Sequence, residues 1–361
     1  MRDDAAELMA QFAERTGLTG TRKPRRYLWT DAFAVCNLLG SYRETGNREA
    51  LDRARALVDQ VHHILGRHRS DDMRSGWISG LSAQEGERHP TLGGLRIGKP
   101  HTERASGEPL DEQAEWDRDG QYFHYLTKWM HALDQFARTT GEPTYATWAR
   151  ELADTAHRHF VYGDGALRMH WKMSIDLSRP LVASMGHHDP LDGFVTCVQL
   201  AAMPARGPDL SDARRDFAQM IKWHQLATED PLGLGGLLVD AHRAASSNIE
   251  RHLVEAIVTA AELGLRRYVE RPELRLPAAE RLAFRELGLA IGLAAVVGLA
   301  PSLSGRFVRF QSLRDELTAF WLRPDSRRTR AWLEHADINE VMLATSLAPE
   351  GYLTQPSVTR R

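Results

Sequence analysis

Hydrophobic residues along the chain recur at helical spacing, in pairs of segments separated by short polar breaks. From residue 27 to about 67, an apolar-rich stretch with Phe33, Val35, Leu38, Leu39 and Tyr42 stops at Glu44-Thr45-Gly46-Asn47. An amphipathic stretch follows, with Leu51, Ala54, Leu57, Val58, Val61 and Leu65 on one helical face. From residue 121 to about 161 the same plan returns. Leu126, Trp129, Met130, Leu133 and Phe136 precede a break at Thr140-Gly141-Glu142-Pro143, and Trp148, Leu152, Ala156 and Phe160 follow it. The two segments align without gaps at an offset of 95, matching Thr45 with Thr140, Gly46 with Gly141, Leu57 with Leu152 and His62 with His157. Glycine supplies the left-handed stop, and Asn47 or Pro143 starts the next helix. A turn this short forces the two helices antiparallel.

The remainder divides into four further expected pairs: 192–202 with 210–227, 236–246 with 249–269, 278–300 with 313–322, and 329–336 with 338–347. Clean strand alternation is confined to 168–173, which reads as a short hairpin strand. Two connections, 69–120 and 163–190, are long and rich in Gly, His, Trp, Asp and Arg. Loops of that length are uncommon and often functional.

Size alone, 361 residues, suggests two or three domains of about 150 residues each. The repeat argues instead for one all-α domain over 1–361, with about 20 N-terminal and about 10 C-terminal residues peripheral. At 42% hydrophobic and 26% charged, the composition excludes a disordered, collagen-like or coiled-coil chain. Lys and Arg number 46 against 48 Asp and Glu, so no basic field recruits nucleic acid or anionic lipid. Cys36 and Cys197 sit in apolar helical stretches and read as buried free thiols of a reducing compartment. The acidic N-terminus is no secretory signal. The longest apolar run, 287–300, falls short of the roughly 20 residues that span a bilayer. A cytoplasmic location without membrane attachment is therefore expected.

Three segments concentrate the chemistry. In the first, Trp116, Asp117 and Asp119 precede a helix bearing Tyr122, His124, Tyr125 and Lys128. One Asp suffices as an N-cap. Two acids beside aromatic rings also suit a sugar, whose apolar ring faces stack on aromatics while carboxylates take hydroxyls. The second is His187-His188-Asp189-Pro190 with Asp192. It can be a capped helix start with Pro at the first turn, a general acid–base site, or a metal site. Without HExxH spacing or a cysteine, no metal and no cofactor is expected there. The third is Trp29-Thr30-Asp31, where Asp31 is either an N-cap or a cavity acid. Beyond these, His170-Trp171-Lys172 with Arg179 is a candidate for binding an acidic sugar or a solvated hairpin, and 93–99 reads as a lid or turn lacking P-loop spacing.

About six αα-hairpins with Gly-centred turns, together with Tyr27-Leu28-Trp29-Thr30-Asp31, Trp116-Asp117-Arg118-Asp119-Gly120-Gln121-Tyr122 and Gly186-His187-His188-Asp189-Pro190-Leu191-Asp192-Gly193, resemble the six-hairpin glycosidase-like superfamily. The N-acylglucosamine 2-epimerase family is similar in the same way. The resemblance implies an (α/α)6 toroid of antiparallel helical hairpins with long loops at one mouth. In such a toroid, acids near the starts of the inner helices do the chemistry, which implicates Asp31, Asp117, Asp119, Asp189 and Asp192. One fold hosts many reactions.

The preferred expectation is a glycoside hydrolase acting on an oligosaccharide, using paired carboxylates drawn from Asp117, Asp119, Asp189 and Asp31, with His188 as a further acid–base group. Trp29, Trp116, Tyr122, His124, His170, Trp171, Lys172, His187 and Asp192 are then expected to bind substrate. A sugar epimerase using cavity imidazoles and a non-catalytic glycan- or protein-binding toroid are the alternatives. A homodimer is the one protein assembly this reading leaves open.

Overall fold

The computed structural model describes residues 2–163 and 165–356. The far end of the expected C-terminal periphery, 357–361, lies outside them. Twelve helices of ten residues or more occur among the described residues: α1 (Arg2–Arg15), α2 (Leu28–Thr45), α3 (Arg48–Leu65), α4 (Phe123–Thr140), α5 (Pro143–Phe160), α6 (Asp189–Ala201), α7 (Ser211–Met220), α8 (Pro231–Ser246), α9 (Arg251–Tyr268), α10 (Ala283–Ala295), α11 (Gln311–Leu322) and α12 (Ala336–Leu347). None is long and apolar enough to cross a membrane. The chain divides into two compact units.

The first unit comprises 2–15, Gly40–Gly46 and Lys222–Gln355. Helix α8 pairs with α9 and α10 with α11, while α10 also packs on α8 and α12. The apolar run from Leu287 is a buried helix whose backbone touches another. A Cβ on Gly235 would fall 2.2 Å from the Gly288 carbonyl oxygen, and one on Gly292 would fall 2.6 Å from Gly235 Cα. The sixth pair differs from expectation. The region before α12 holds only a four-residue helix, Arg330–Leu333, and α12 packs instead against α1. Leu8, Met9, Phe12 and Ala13 of α1 are buried, and Arg15 donates to Asp337 and, with both terminal nitrogens, to Glu340. The N-terminal segment expected at the periphery is thus a core helix, because its amphipathic face supplies the cover that α12 lacks locally.

The second unit comprises Thr16–Leu39 and Asn47–Ile221 with residue 356. Asn47 caps α3 through its side chain, which accepts from the Glu49 N–H, and Gly141 ends α4 at φ 76°. Pro143 opens α5. Helices α4 and α5 form a hairpin, as do α6 and α7, and α6 packs beside α4. The expected single strand over 168–173 is two. Strand β3 (Arg168–Met169) pairs with β2 (Val161–Tyr162), and β4 (Lys172–Met173) lies between β1 (Gln121–Tyr122) and β5 (Pro180–Val182), all antiparallel. The segment 93–99, expected as a lid or turn, is a buried strap. Leu95 and Ile97 are fully buried, Ile97 bonds main chain to main chain with Leu28 and Gly120, and Arg96 N–H reaches Leu65 O. Alternating apolar residues in extended backbone bury as a strand would.

Candidate active site

Every candidate residue singled out above falls in the second unit. Strand β1 delivers the chain into α4, and the Phe123 N–H donates to Trp171 O, so Tyr122 and Trp171 lie side by side with ring centres 5.1 Å apart. His124, in the first turn of α4, lies nearly parallel to Trp171 at 6.0 Å and edge-on to Tyr125 at 4.8 Å. Tyr125 joins Tyr27 through their hydroxyls at 2.6 Å and approaches buried Trp29 at 6.5 Å. Trp116 stands edge-on to Trp171 at 5.4 Å and is 49% exposed. The result is an aromatic floor with one open indole at its edge. Burial pushes the Tyr27 hydroxyl up to about 12 and raises Tyr122 and Tyr125 further, so all three phenols are neutral donors at neutral pH. Burial pushes His124 down to about 3, with the Lys128 charge adding to it, so the ring is neutral; its Nδ1 has no partner.

Above the floor, the turn 115–118 is held by Lys172 of β4. The fully buried ammonium donates to Glu115 O at 2.9 Å, to the Glu115 carboxylate at 2.7 Å and to Arg118 O at 2.8 Å. Its three N–H groups are all engaged, which corrects the expectation that Lys172 binds substrate. Asp119 is corrected in the same way. It is wholly buried and accepts from Arg96 (2.7 Å), Arg69 (3.3 Å) and the N–H groups of Gly98, Lys99 and Gly120. It is a loop-organising carboxylate and not a catalytic one. Asp31, also buried, accepts from the Tyr27 N–H at 2.8 Å and lies 3.5 Å from the buried Arg26 guanidinium, which fixes the entry to α2. His170 stacks on Tyr162 at 4.1 Å within the β2–β3 hairpin. Asp117 is exposed, with its carboxylate engaged by no other described side chain.

The start of α6 supplies the acids. Asp192 accepts from Lys128 at 2.7 Å and from the hydroxyls of Thr127 and Thr196. Asp189, one turn earlier, is buried and its Oδ2 has no partner. Burial, followed by the Asp192 charge, pushes its carboxyl up to about 7, with the Lys128 ammonium opposing. Gly186 makes room for that carboxyl, since a Cβ there would fall 2.2 Å from Asp189 Oδ2. His187 is exposed and His188 half-buried, their rings perpendicular at 4.5 Å. Among the described residues no group of three or more His, Cys, Asp or Glu could hold a metal ion.

The structure therefore brings together Trp29, Trp116, Tyr122, His124 and Trp171 as one aromatic surface, and Asp189 with Asp192 as one acid pair. Tyr27 and Gly186 lay in the segments that carry the resemblance and Lys99 in the 93–99 segment, but none of the three was singled out as a site residue. Lys128 carried a signal in its helical spacing, one turn beyond His124, which places both on one face.

No protein-family model matches the chain, and no curated protein matches it. Solved structures do. A GH76 alpha-mannanase of Bacteroides thetaiotaomicron is 9% identical, with 96% of this chain and 95% of that one covered at a TM-score of 0.58. An inactive variant of the alpha-1,6-mannanase GH76A of a Salegentibacter species, with two consecutive aspartates replaced by asparagine and alpha-1,6-mannotriose bound, is 11% identical over 96% and 99% at 0.56. The cellobiose 2-epimerase of Spirochaeta thermophila is 11% identical over 96% and 98% at 0.51. Identities this low speak to architecture alone. The chain has the six-hairpin glycosidase-like fold, the (α/α)6 toroid.

Proposed function

We propose that the protein is a carbohydrate-active enzyme, a glycoside hydrolase in which Asp189 is the general acid and Asp192 the partner carboxylate. One observation carries this reading. Two carboxyls one helical turn apart have different surroundings: Asp189 is buried with no cation bonded to it and its carboxyl is pushed up to about 7, and Asp192 is clasped by Lys128. Pairs separated in this way are the signature of acid and base roles. Residues three apart on a helix are neighbours on one face, so the two carboxyls can act on one bond. Asp189 would protonate the glycosidic oxygen, and Asp192 would face the developing oxocarbenium charge. The aromatic floor of Tyr122, His124 and Trp171 offers ring faces for the sugar. A similar mannanase that loses activity with two aspartates is in keeping with this, as fold-level analogy. The reading takes the whole chain as one catalytic domain, which the 96% coverage of the similar structures supports.

The test is hydrolysis of a panel of aryl glycosides and oligosaccharides, alpha-1,6-linked mannosides included, by the parent protein and by Asp189→Asn. Loss of turnover on substitution is expected, and NMR of the product's anomeric configuration tells a retaining from an inverting reaction. Full activity in Asp189→Asn would sink the assignment. A second reading, sugar epimerisation, is favoured by one observation: the neutral His124 with its unpartnered Nδ1 shares this unit with His188, which directly precedes Asp189. Solvent deuterium entering a ring carbon of a free sugar, without hydrolysis, would select it.

A further inference from the structure

Among the charged side chains around the aromatic floor, two stand apart. Arg69 and Arg96 are committed to Asp119, Lys128 to Asp192, Lys172 and Arg104 to Glu115, and Arg118 to Glu108. Lys99 and Asp117 are not paired, either with each other or with any other described side chain. Lys99 is half-buried, its ammonium 5.6 Å from the centre of the Tyr27 ring. It directly follows Gly98, whose φ of 92° and whose packing against Arg26 O admit no side chain, so the strap 93–99 fixes where Lys99 emerges. Asp117 is presented by the turn that Lys172 holds. Two residues beyond Lys99, the His101 N–H donates to Asp117 O at 3.3 Å and the Asp119 N–H to His101 O at 2.8 Å, so the strap and the turn run side by side and the two groups share one corner of the site without bonding to each other.

We infer that Lys99 and Asp117 are a split clamp for two adjacent hydroxyls of an uncharged sugar ring, the ammonium donating to one oxygen and the carboxylate accepting from the other. This rests on the carbohydrate reading above and deepens it by naming the substrate class. The physical argument has three parts. A half-buried ammonium loses hydration, and here that loss outweighs the opposing charges of Asp117 and Asp119 while no side chain accepts a hydrogen bond from it, so a ligand oxygen gains an undercompensated donor. The corner carries one positive and one negative charge, which suits a neutral ligand with both donor and acceptor capacity; an anionic sugar would meet Asp117. The Tyr27–Tyr125 hydroxyl pair uses one of its two protons internally, leaving a further neutral donor at the same corner.

The test uses the full-length protein and two readouts. Binding is measured calorimetrically for methyl mannoside, methyl glucoside, their single-deoxy analogues and mannuronate. KM and kcat are measured on whichever panel glycoside the parent turns over. The clamp predicts that removing either hydroxyl of one adjacent pair weakens binding about tenfold. It also predicts that Lys99→Met and Asp117→Asn each raise KM about tenfold with kcat little changed, and that the double variant loses less than the product of the two. Mannuronate should bind the parent more weakly than the neutral sugars and recover in Asp117→Asn. Tighter mannuronate binding that Lys99→Met abolishes would overturn the clamp in favour of an anion site. Unchanged KM in both variants of a protein that still hydrolyses the glycoside would overturn the clamp alone. A protein that neither binds nor turns over any sugar would overturn the clamp together with the carbohydrate reading. Thermal melting of each variant separates misfolding from lost contacts.

Discussion

In the first unit, Glu286 near the start of α10 receives two nitrogens of Arg281, at 2.8 and 2.6 Å, and the Trp321 indole N–H at 2.7 Å. Asp230, capping α8, has Arg285 at 2.6 Å, and Glu340 on α12 has Arg15. In the second unit, Asp189 opens α6 as buried as Glu286 and Glu340 but with no guanidinium or ammonium bonded to it and with one oxygen unpartnered. Helix starts favour carboxylates in both units, through the same free N–H groups and the same dipole. The arginines make the difference. A carboxylate clasped by arginine is a structural fixture, whereas Asp189, buried without its own cation, keeps its proton to about pH 7 and can donate it. Placement at a helix start therefore says little about chemistry until the cations are counted.

The contrast can be broken most directly at Asp189. Asp189→Asn is expected to lower kcat by about 10²–10⁴-fold, the usual worth of a general acid, in a steady-state assay, while circular dichroism stays unchanged. Arg281→Met should have a comparable effect of the opposite kind. It strands Glu286 in a buried site and costs about 3–5 kcal/mol of stability, read by urea denaturation, and an intact midpoint would show that the clasp is idle. Gly186→Ala drives a methyl group into the Asp189 carboxyl. A fall in kcat of about tenfold or more, with the melting temperature nearly unmoved, is anticipated from a displaced catalytic group. The smallest effect, taken per pH unit, lies in pH. Folding holds the Asp189 proton up to about pH 7, whereas an unfolded aspartate releases it near pH 4. The folded chain thus binds one more proton across that interval, and this group makes stability fall as pH rises through it, by at most about 1.4 kcal/mol per pH unit. Asp189→Asn should remove that slope. Lys128→Met should move the Asp189 titration upward and Asp192→Asn downward, by about one unit, as carboxyl ¹³C NMR would register.

Much of the helical framework was legible because its information is local. Gly46 and Gly141 stop helices, Asn47 and Pro143 start them, and the apolar spacing marks each buried face. Partnership across long stretches of chain was not. The cover for α12 comes from α1, more than 300 residues away, since the residues just before α12 form a single turn of helix. The site shows the same boundary. Asp117 and Asp119 read alike in sequence, both being acids before one helix. Only Arg69 and Arg96, drawn from a loop 50 and 23 residues upstream, tell them apart. Lys172 looked like a substrate ligand because two of its three acceptors are main-chain oxygens, which no residue pattern advertises.

That lysine also bears on how the site can change over evolutionary time. Surface loops of this fold ordinarily tolerate added or deleted residues. The turn from Glu115 to Arg118 does not share that freedom, because its acceptors converge on one ammonium that has no water to fall back on. An inserted residue would strand a buried charge. The length of this turn is thereby locked, while Trp116 and Asp117, whose side chains lie outside the knot, remain free to vary. New specificities on this scaffold would be reached by exchanging those two side chains on a turn of fixed length.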